Sequence, residues 1–575
     1  MKSTPTFDMQ HSNINLLWAS MMIEELVRHG ITDFCIAPGS RSTPLTLAVS
    51  ANKKATPHVH FDERGLGFLA LGLSVASRNP IVLITTSGSA VANLHPAMIE
   101  AGQSGLPLIV LSADRPPELI DCGANQAINQ SDIFNSAACF FAQIPSPSVD
   151  VSAGFLLTTI DHGLLKQKQD SAPIHFNCAF PEPLYPTELK IDYQDYLATS
   201  VKNWTVNQSP YTQIIEPKSV IEKQKSLIEN KKILVISGRF SGNISQFCKD
   251  NNFPLLADIQ SSQGSVENNL HHYDLALLDN AFSNKLAEAD IVLQFGEKLI
   301  SKRLGQFIEK FTGEYWLVAE GVERIDPTHQ VSTRFRCNSG DWIAAYSDSV
   351  HKKNNQVSGW IEELASLHQT LSDKVIAPFV NSIEFSEMTV VKTLDKLLPK
   401  KSPFFIGNSM PIRLADMFMC ENNCTIYTNR GASGIDGLLA SAIGIAKHRQ
   451  QPMTLLIGDT SFLYDLNSLA LLTQLAMPFV IVLINNDGGS IFNMLPVPDA
   501  QKERFYQLPH GLEFSAVCQQ FSVDYQQPQN ECEFSLNYSN AIKNKKSTVI
   551  EVRVENGQTF EQLNALKDSI TYFGK

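Results

Sequence analysis

TLLIGDTSFLYDLNS, residues 454–468, runs an apolar stretch straight into Gly458-Asp459-Thr460. A buried strand that stops on a carboxylate asks for a reason. The stretch FVIVLINNDGG, residues 479–489, repeats the pattern and ends in Asn485-Asn486-Asp487-Gly488. Residues 463–477 have the length and composition of a crossover helix, which makes the whole a βαβ unit with its two strand ends side by side. Asp459 then offers a carboxylate, Asn486 an amide oxygen, and Gly488 a carbonyl that no side chain obstructs. Hard divalent cations take such oxygen ligands and complete their shell with phosphate. The Gly458 turn and the helix start after it offer N–H groups to that phosphate.

Outward from this unit, the chain divides into three α/β blocks. In the first, DFCIAPGS, HVHFDERG, PIVLITTSGSA and LPLIVLSADRP are short apolar strands that each run into Gly, Ser or Asp. Ile14, Leu17, Trp18, Met21 and Met22 follow helical spacing, and Gly30 closes that helix. Strands alternating with helices predict parallel sheets with ligands at the C-terminal strand ends. The expected organisation is a first domain at 1–190, a polar linker at 191–215, a middle domain at 216–350, a helix-patterned connection at 351–380 and a last domain at 381–575. The first and last blocks look like two versions of one architecture.

The 46 basic and 58 acidic residues leave a net charge of −12, which argues against a nucleic-acid binder. The N-terminal residues have no secretory pattern, and no apolar run is long enough to span a bilayer, so a cytoplasmic location is expected. Ten cysteines form no framework; Cys420 and Cys424 lack a second pair of ligands and read as free thiols. Gly65-x-Gly67-x-x-Ala70 imitates a dinucleotide fingerprint, but residues 78–99 hold no acid for the ribose, so these small residues read as helix packing. His271-His272 reads as a partly exposed turn.

Gly-Asp followed some 25 residues later by Asn-Asn resembles the cofactor motif of thiamine-diphosphate enzymes. The usual third glycine is Thr460 here, a departure that one subfamily tolerates. The resemblance extends through APGSRSTPLTLA, HFDERGLGFLALG, TTSGSAVANLHPAMIEA, LSADRPPEL, GANQAI, NRGASGIDG and NNDGGSIFNMLP. These stretches are similar to the subfamily of menaquinone biosynthesis. The resemblance implies three doubly wound parallel-sheet domains and a transferase that uses thiamine diphosphate with Mg²⁺ or Mn²⁺. Glu63 would hydrogen-bond the cofactor's pyrimidine, and Ile435, with Gly434 beside it, would prop the bent cofactor. Gly458, Asp459, Thr460, Ser461, Asn486, Gly488 and Ile491 would surround the diphosphate. Asp459, Asn486 and Gly488 would hold the metal.

The same resemblance implies 2-oxoglutarate and isochorismate as substrates, with CO₂ lost from the first and the remainder added to the second. Both are dicarboxylates, for which guanidinium is the best-suited partner. Arg41, Arg115, Arg413 and Arg430 lie in the motifs, and Lys302 and Arg303 come from the middle block. Ser40, Asn125, Gln126 and Ser409 are the polar companions the resemblance implies, with Phe492 and Leu495 as walls. In this family the site lies between two subunits, so a homodimer is the minimum and a homotetramer the habit. The first block lacks the His-His pair of many decarboxylases; His95 is expected to pack on Pro96. Two alternatives stand beside this reading: another thiamine-diphosphate ligase or decarboxylase of 2-oxo acids, and a catalytically silent ligand-binding relative.

Overall fold

The computed structural model describes residues 7–212, 228, 230–263, 269–321, 325–346, 355–421 and 424–573. The boundaries expected at 215–216 and 350–351 fall outside the described residues. The chain forms two compact units. One comprises residues 1–218 with 429–449 and 465–473; the other comprises 219–428, 450–464 and 474–575.

In the first unit, β1 (Gln10–His11) precedes six strands: β2 (Asp33–Ile36), β3 (Thr56–Val59), β4 (Ile81–Thr85), β5 (Leu108–Asp114), β6 (Phe140–Ile144) and β7 (Ile174–Ala179). The six form one parallel sheet in the order β3-β2-β4-β5-β7-β6. Helices cover both faces, so β4 and β5 are buried throughout and read as unbroken apolar runs. The expected first helix is Ile14–Arg28, capped by the Asn13 side chain, which accepts from Leu16 N–H; Gly30 follows at φ +82°.

The stretch read as a linker is packed as far as residue 206. β8 (Ile191–Asp192) pairs with β1, and the helices Gln194–Ser200 and Lys202–Val206 follow. Their Leu197, Val201 and Trp204 join the first core. The Arg28 guanidinium stacks 4.0 Å above the Trp204 ring.

Helix Leu438–Arg449 also belongs to the first unit, against helix Glu63–Ser77. A Cβ at Gly72 would lie 2.0 Å from the Ser441 carbonyl oxygen, and one at Gly444 would lie 2.3 Å from that of Leu69. A Cβ at Gly67 would meet the Ala97 methyl at 2.8 Å. The small residues of this helix therefore serve packing, as expected.

The second unit holds two sheets. β9 (Ile233–Ser237), β10 (Leu255–Ala257), β11 (Ile291–Phe295), β12 (Glu314–Val318) and β13 (Thr333–Phe335) order as β10-β9-β11-β12-β13. β14 (Pro403–Ile406), β15 (Thr425–Tyr427), β16 (Met453–Gly458), β17 (Phe479–Asn485), β18 (Asp524–Gln526) and β19 (Thr548–Arg553) order as β15-β14-β16-β17-β19-β18. That order matches the first sheet strand for strand, so the first and last blocks share one architecture. A single core runs from Leu234 and Leu256 of the middle sheet to Ile406 and Val480 of the last.

The crossover between β16 and β17 is not the single helix expected over 463–477. It is an α-helix, Asp459–Tyr464, followed by a 3₁₀ helix, Leu466–Gln474. The α-helix begins on Asp459 itself, directly at the strand end. Among the described residues no helix is long and apolar enough to cross a membrane.

Candidate active site

β16 and β17 are parallel neighbours with Gly458 opposite Ile484, so their C-terminal ends meet. Asp459 is buried there. Its Oδ2 accepts the N–H groups of Asn486 at 3.1 Å and Gly488 at 2.9 Å. Its Oδ1 accepts Thr460 N–H at 2.5 Å and the Thr460 hydroxyl at 3.2 Å. Thr460 thus adds a hydroxyl bond to the carboxylate.

Asn486 donates from Nδ2 to Glu387 Oε1 at 2.9 Å. Its Oδ1 is buried and accepts nothing. An orphaned buried acceptor costs free energy and calls for a ligand. Gly488 sits at φ +115°, and a Cβ there would come within 2.2 Å of the Gln507 carbonyl oxygen. A Cβ at Gly458 would meet nothing within 4 Å, so the turn faces open space. An orphaned amide oxygen, a carboxylate and a glycine that admits no side chain fit an oxygen-liganded cation.

Sequence reasoning missed two residues here. Glu387, first in helix Glu387–Leu397, is fully buried, and burial pushes its carboxyl pKa up against the opposing bond from Asn486. Nothing in FSEMTVV says that it faces Asn486. His510 places Nε2 3.2 Å from Asp459 Oδ2, without hydrogen-bond alignment. Its N–H and that of Gly511 bind Asp487, and these bonds hold the Asp487 carboxyl below its ordinary value.

Around this centre, Ser461 is buried and Ile491 packs on the core. Phe492 and Leu495 are half-buried, and the Phe492 ring lies 5.7 Å from that of Tyr506. Ser409 caps helix Met410–Phe418, and Arg413 Nη1 bonds back to the Ser409 carbonyl at 2.5 Å. Lys302 and Arg303 do not sit at a strand end; they open helix Lys302–Lys310, and Arg303 is committed to an ion pair with Asp274.

The first unit carries the other group. Glu63 is the first residue of helix Glu63–Ser77 and is half-buried, behind an Asp62 cap that accepts from Arg64 N–H at 3.0 Å. Arg115 is buried and bonds the Ser87 hydroxyl and, at 2.8 Å, the Gln126 carbonyl. Gln126, at φ +58°, donates to Ser87 O at 2.9 Å. Burial and then the charge of Arg41 lower the Arg115 pKa. Arg41 Nη1 donates to Phe180 O at 2.9 Å, while its buried Nε has no partner. Ser40 and Asn125 are exposed.

The loop of Arg430, Gly434 and Ile435 hangs on one carboxylate. Glu100 accepts N–H bonds from Gly431 at 2.6 Å, Ala432 at 2.6 Å and Ser433 at 3.3 Å. Sequence reasoning missed Glu100 too, since its partners lie more than 300 positions away. His95 has its ring 5.8 Å from Phe134, an aromatic neighbour the sequence did not suggest.

Three family models match the chain. They describe the N-terminal binding domain of thiamine pyrophosphate enzymes over residues 18–133, the middle domain over 194–406 and the C-terminal binding domain over 408–552. Relatives are similar end to end. A 2-succinyl-5-enolpyruvyl-6-hydroxy-3-cyclohexene-1-carboxylate synthase of Psychromonas ingrahamii is 54% identical over 99% of this chain and 98% of its own length. Proteins of the same name from Photobacterium profundum and Aeromonas salmonicida are 43% and 42% identical, covering 96% and 98% of this chain and 96% and 99% of their own lengths.

Proposed function

Since the chain belongs to the 2-succinyl-5-enolpyruvyl-6-hydroxy-3-cyclohexene-1-carboxylate synthases, a family of thiamine pyrophosphate enzymes, we propose that it joins a decarboxylated 2-oxoglutarate to isochorismate in menaquinone biosynthesis. The observation that carries the reading is the buried, unpartnered Asn486 Oδ1 beside Asp459. Asp459, Asn486 and the Gly488 carbonyl would hold Mg²⁺ or Mn²⁺, which would bind the diphosphate at the Gly458 turn.

Bound thiamine diphosphate supplies the electron sink that lets a 2-oxo acid lose CO₂ and the remainder act as a nucleophile. The chain's own residues do the rest. Glu63 would hydrogen-bond the pyrimidine of the bound cofactor and hold a proton there. Ile435, on the loop tethered by Glu100, would pack against the cofactor. Arg41 and Arg115 bind carboxylate in planar geometry, with Ser40, Asn125 and Gln126 beside them. Ser409, Arg413 and Arg430 contact the substrates, and Phe492 and Leu495 exclude water. Lys302 and Arg303, at the start of a helix of the middle block, would add further cations, Arg303 being paired with Asp274. The working form is a homodimer or homotetramer in the cytoplasm, each site built from two chains.

Substrate choice tests the reading. With thiamine diphosphate, Mg²⁺ and isochorismate, 2-oxoglutarate should be consumed and pyruvate ignored, because only a diacid engages two cation sites. Equal use of pyruvate would contradict the dicarboxylate assignment. Without isochorismate, little succinic semialdehyde should appear, since no strong acid is placed to protonate the product of decarboxylation; rapid aldehyde release would count against ligation.

A further inference from the structure

His271-His272 and Cys420 have no place in the chemistry above, yet His272 and Cys420 meet. His272, at φ +57°, directs Nδ1 at the Met417 carbonyl at 2.6 Å, and Cys420 Sγ lies 3.3 Å from Nε2. A bond to a carbonyl requires the proton on Nδ1, so Nε2 accepts the thiol S–H. The neighbouring Tyr273 donates its hydroxyl to Asp416 Oδ2 at 2.8 Å, and Asp416 Oδ1 accepts Ile259 N–H at 2.8 Å. His271-His272 is the partly exposed turn expected, and it also makes these contacts. Ile259, His272 and Tyr273 of the middle block grip two consecutive residues of another block's helix.

Those residues, Asp416 and Met417, lie at the end of helix Met410–Phe418, whose start carries Ser409 and Arg413. Ser409 adopts φ +74°, ψ −127°, a conformation suited to glycine. Such backbone is strained and persists only where its surroundings over-determine it. Here Arg413 bonds the Ser409 carbonyl within the first turn of the helix, and the middle block holds Asp416 and Met417 at its far end. A helix of nine residues is about 13 Å of stiff rod, so a shift at one end appears at the other.

We propose that Ile259, His272 and Tyr273 form a clasp on Asp416 and Met417 that positions Ser409 and Arg413 for the dicarboxylate substrate. Asp416 and Tyr273 are positioning residues; neither touches substrate. This rests on the assignment of Ser409 and Arg413 to substrate. Burial, reinforced by Asp258, raises the Asp416 carboxyl well above its ordinary value, and burial also raises the Tyr273 phenol. Asparagine at 416 keeps an acceptor for the Ile259 N–H and a polar atom beside the Tyr273 hydroxyl.

The experiment compares Tyr273→Phe, Asp416→Leu and Asp416→Asn with Arg413→Ala, measuring KM for each substrate, kcat and thiamine diphosphate affinity. Tyr273→Phe and Asp416→Leu should raise the KM of a dicarboxylate about 10-fold or more, with cofactor affinity unchanged. Asp416→Asn should restore most of it. Cofactor binding reports an intact fold, and Tyr273→Phe keeps the volume if Asp416→Leu does not fold. If Arg413→Ala raises KM but Tyr273→Phe leaves it unchanged, the clasp is overturned while the site assignment survives. If Arg413→Ala leaves both KM values unchanged, the assignment falls and the clasp with it. Cofactor affinity lost in step with KM would reduce the clasp to a general support of the fold.

Discussion

Asn486 does two jobs with one amide. Its Nδ2 is spent on Glu387, and this bond leaves Oδ1 aimed where nothing in the chain meets it. In the proposed site Glu387 would act on the metal through Asn486, as outer partners of metal ligands do. Glu387→Leu should weaken Mg²⁺ or Mn²⁺ binding about 10- to 100-fold, measured by cofactor-dependent fluorescence titration with the metal. Unchanged metal affinity would mean that Asn486 is oriented by something else. Glu63→Gln should retain cofactor and metal while losing turnover by about 10²–10⁴-fold, the range for a positioned proton carrier. At this scale the sequence was most legible where chemistry forces a local pattern. Asp459, Asn486 and Gly488 stand next to strand ends that any reader of apolar runs finds. Glu387, Glu100 and His510 were invisible because their partners are remote in the chain and their residue types are common at helix starts and in loops.

Helices and their contacts carry a different kind of constraint. Gly72 faces the Ser441 carbonyl across the pair of helices Glu63–Ser77 and Leu438–Arg449. Alanine there would gain about 1 kcal/mol of helix propensity. It would also push a methyl into a rigid backbone, and overpacking costs about 1–3 kcal/mol or more. The clash wins, so Gly72→Ala should lower stability to urea; a stabilised variant would show that the helices separate easily.

A second element contact links the first helix to the segment beyond it. His29 bonds Asp161 at 2.8 Å, while Glu25 accepts Trp204 Nε1–H at 2.5 Å and Tyr211 N–H at 2.6 Å. Burial alone would lower the His29 pKa, but its bonds to Asp161 and Glu25 carry it from 6.5 up to about 9. A raised folded pKa gives stability that is complete below 6.5 and lost as pH rises through about 9. Thermal midpoints should fall over that window in the wild type and less steeply in His29→Gln. Equal slopes would remove His29 from the account. The helix and strand types around these contacts were legible from periodicity. The packed stretch after 191 was not, because Leu197, Val201 and Trp204 are spread over two short helices within polar sequence. The 3₁₀ helix Leu466–Gln474 escaped as well, since its apolar pattern suits an α-helix equally.

At the scale of the molecule, the strand order of the first sheet recurs in the last, which the matching run of strand-end motifs already suggested. Two sheets of one design, each carrying half of the proposed site, would suit a site completed by a second copy of the chain. Glu63→Gln and Asp459→Ala should each be inactive alone. Mixed and allowed to exchange subunits, they should recover about a quarter of wild-type activity, because half of the dimers are mixed and each mixed dimer has one intact site of two. No recovery after proven exchange would place both residues in a site made by one chain.

The most direct test of the central claim follows two signals in one reaction. Purified protein with thiamine diphosphate, Mg²⁺ and 2-oxoglutarate receives isochorismate, and CO₂ release is recorded against isochorismate loss by absorbance. The account predicts equal molar rates that both vanish in Glu63→Gln. CO₂ without loss of isochorismate, or no reaction while the cofactor still binds, would contradict it.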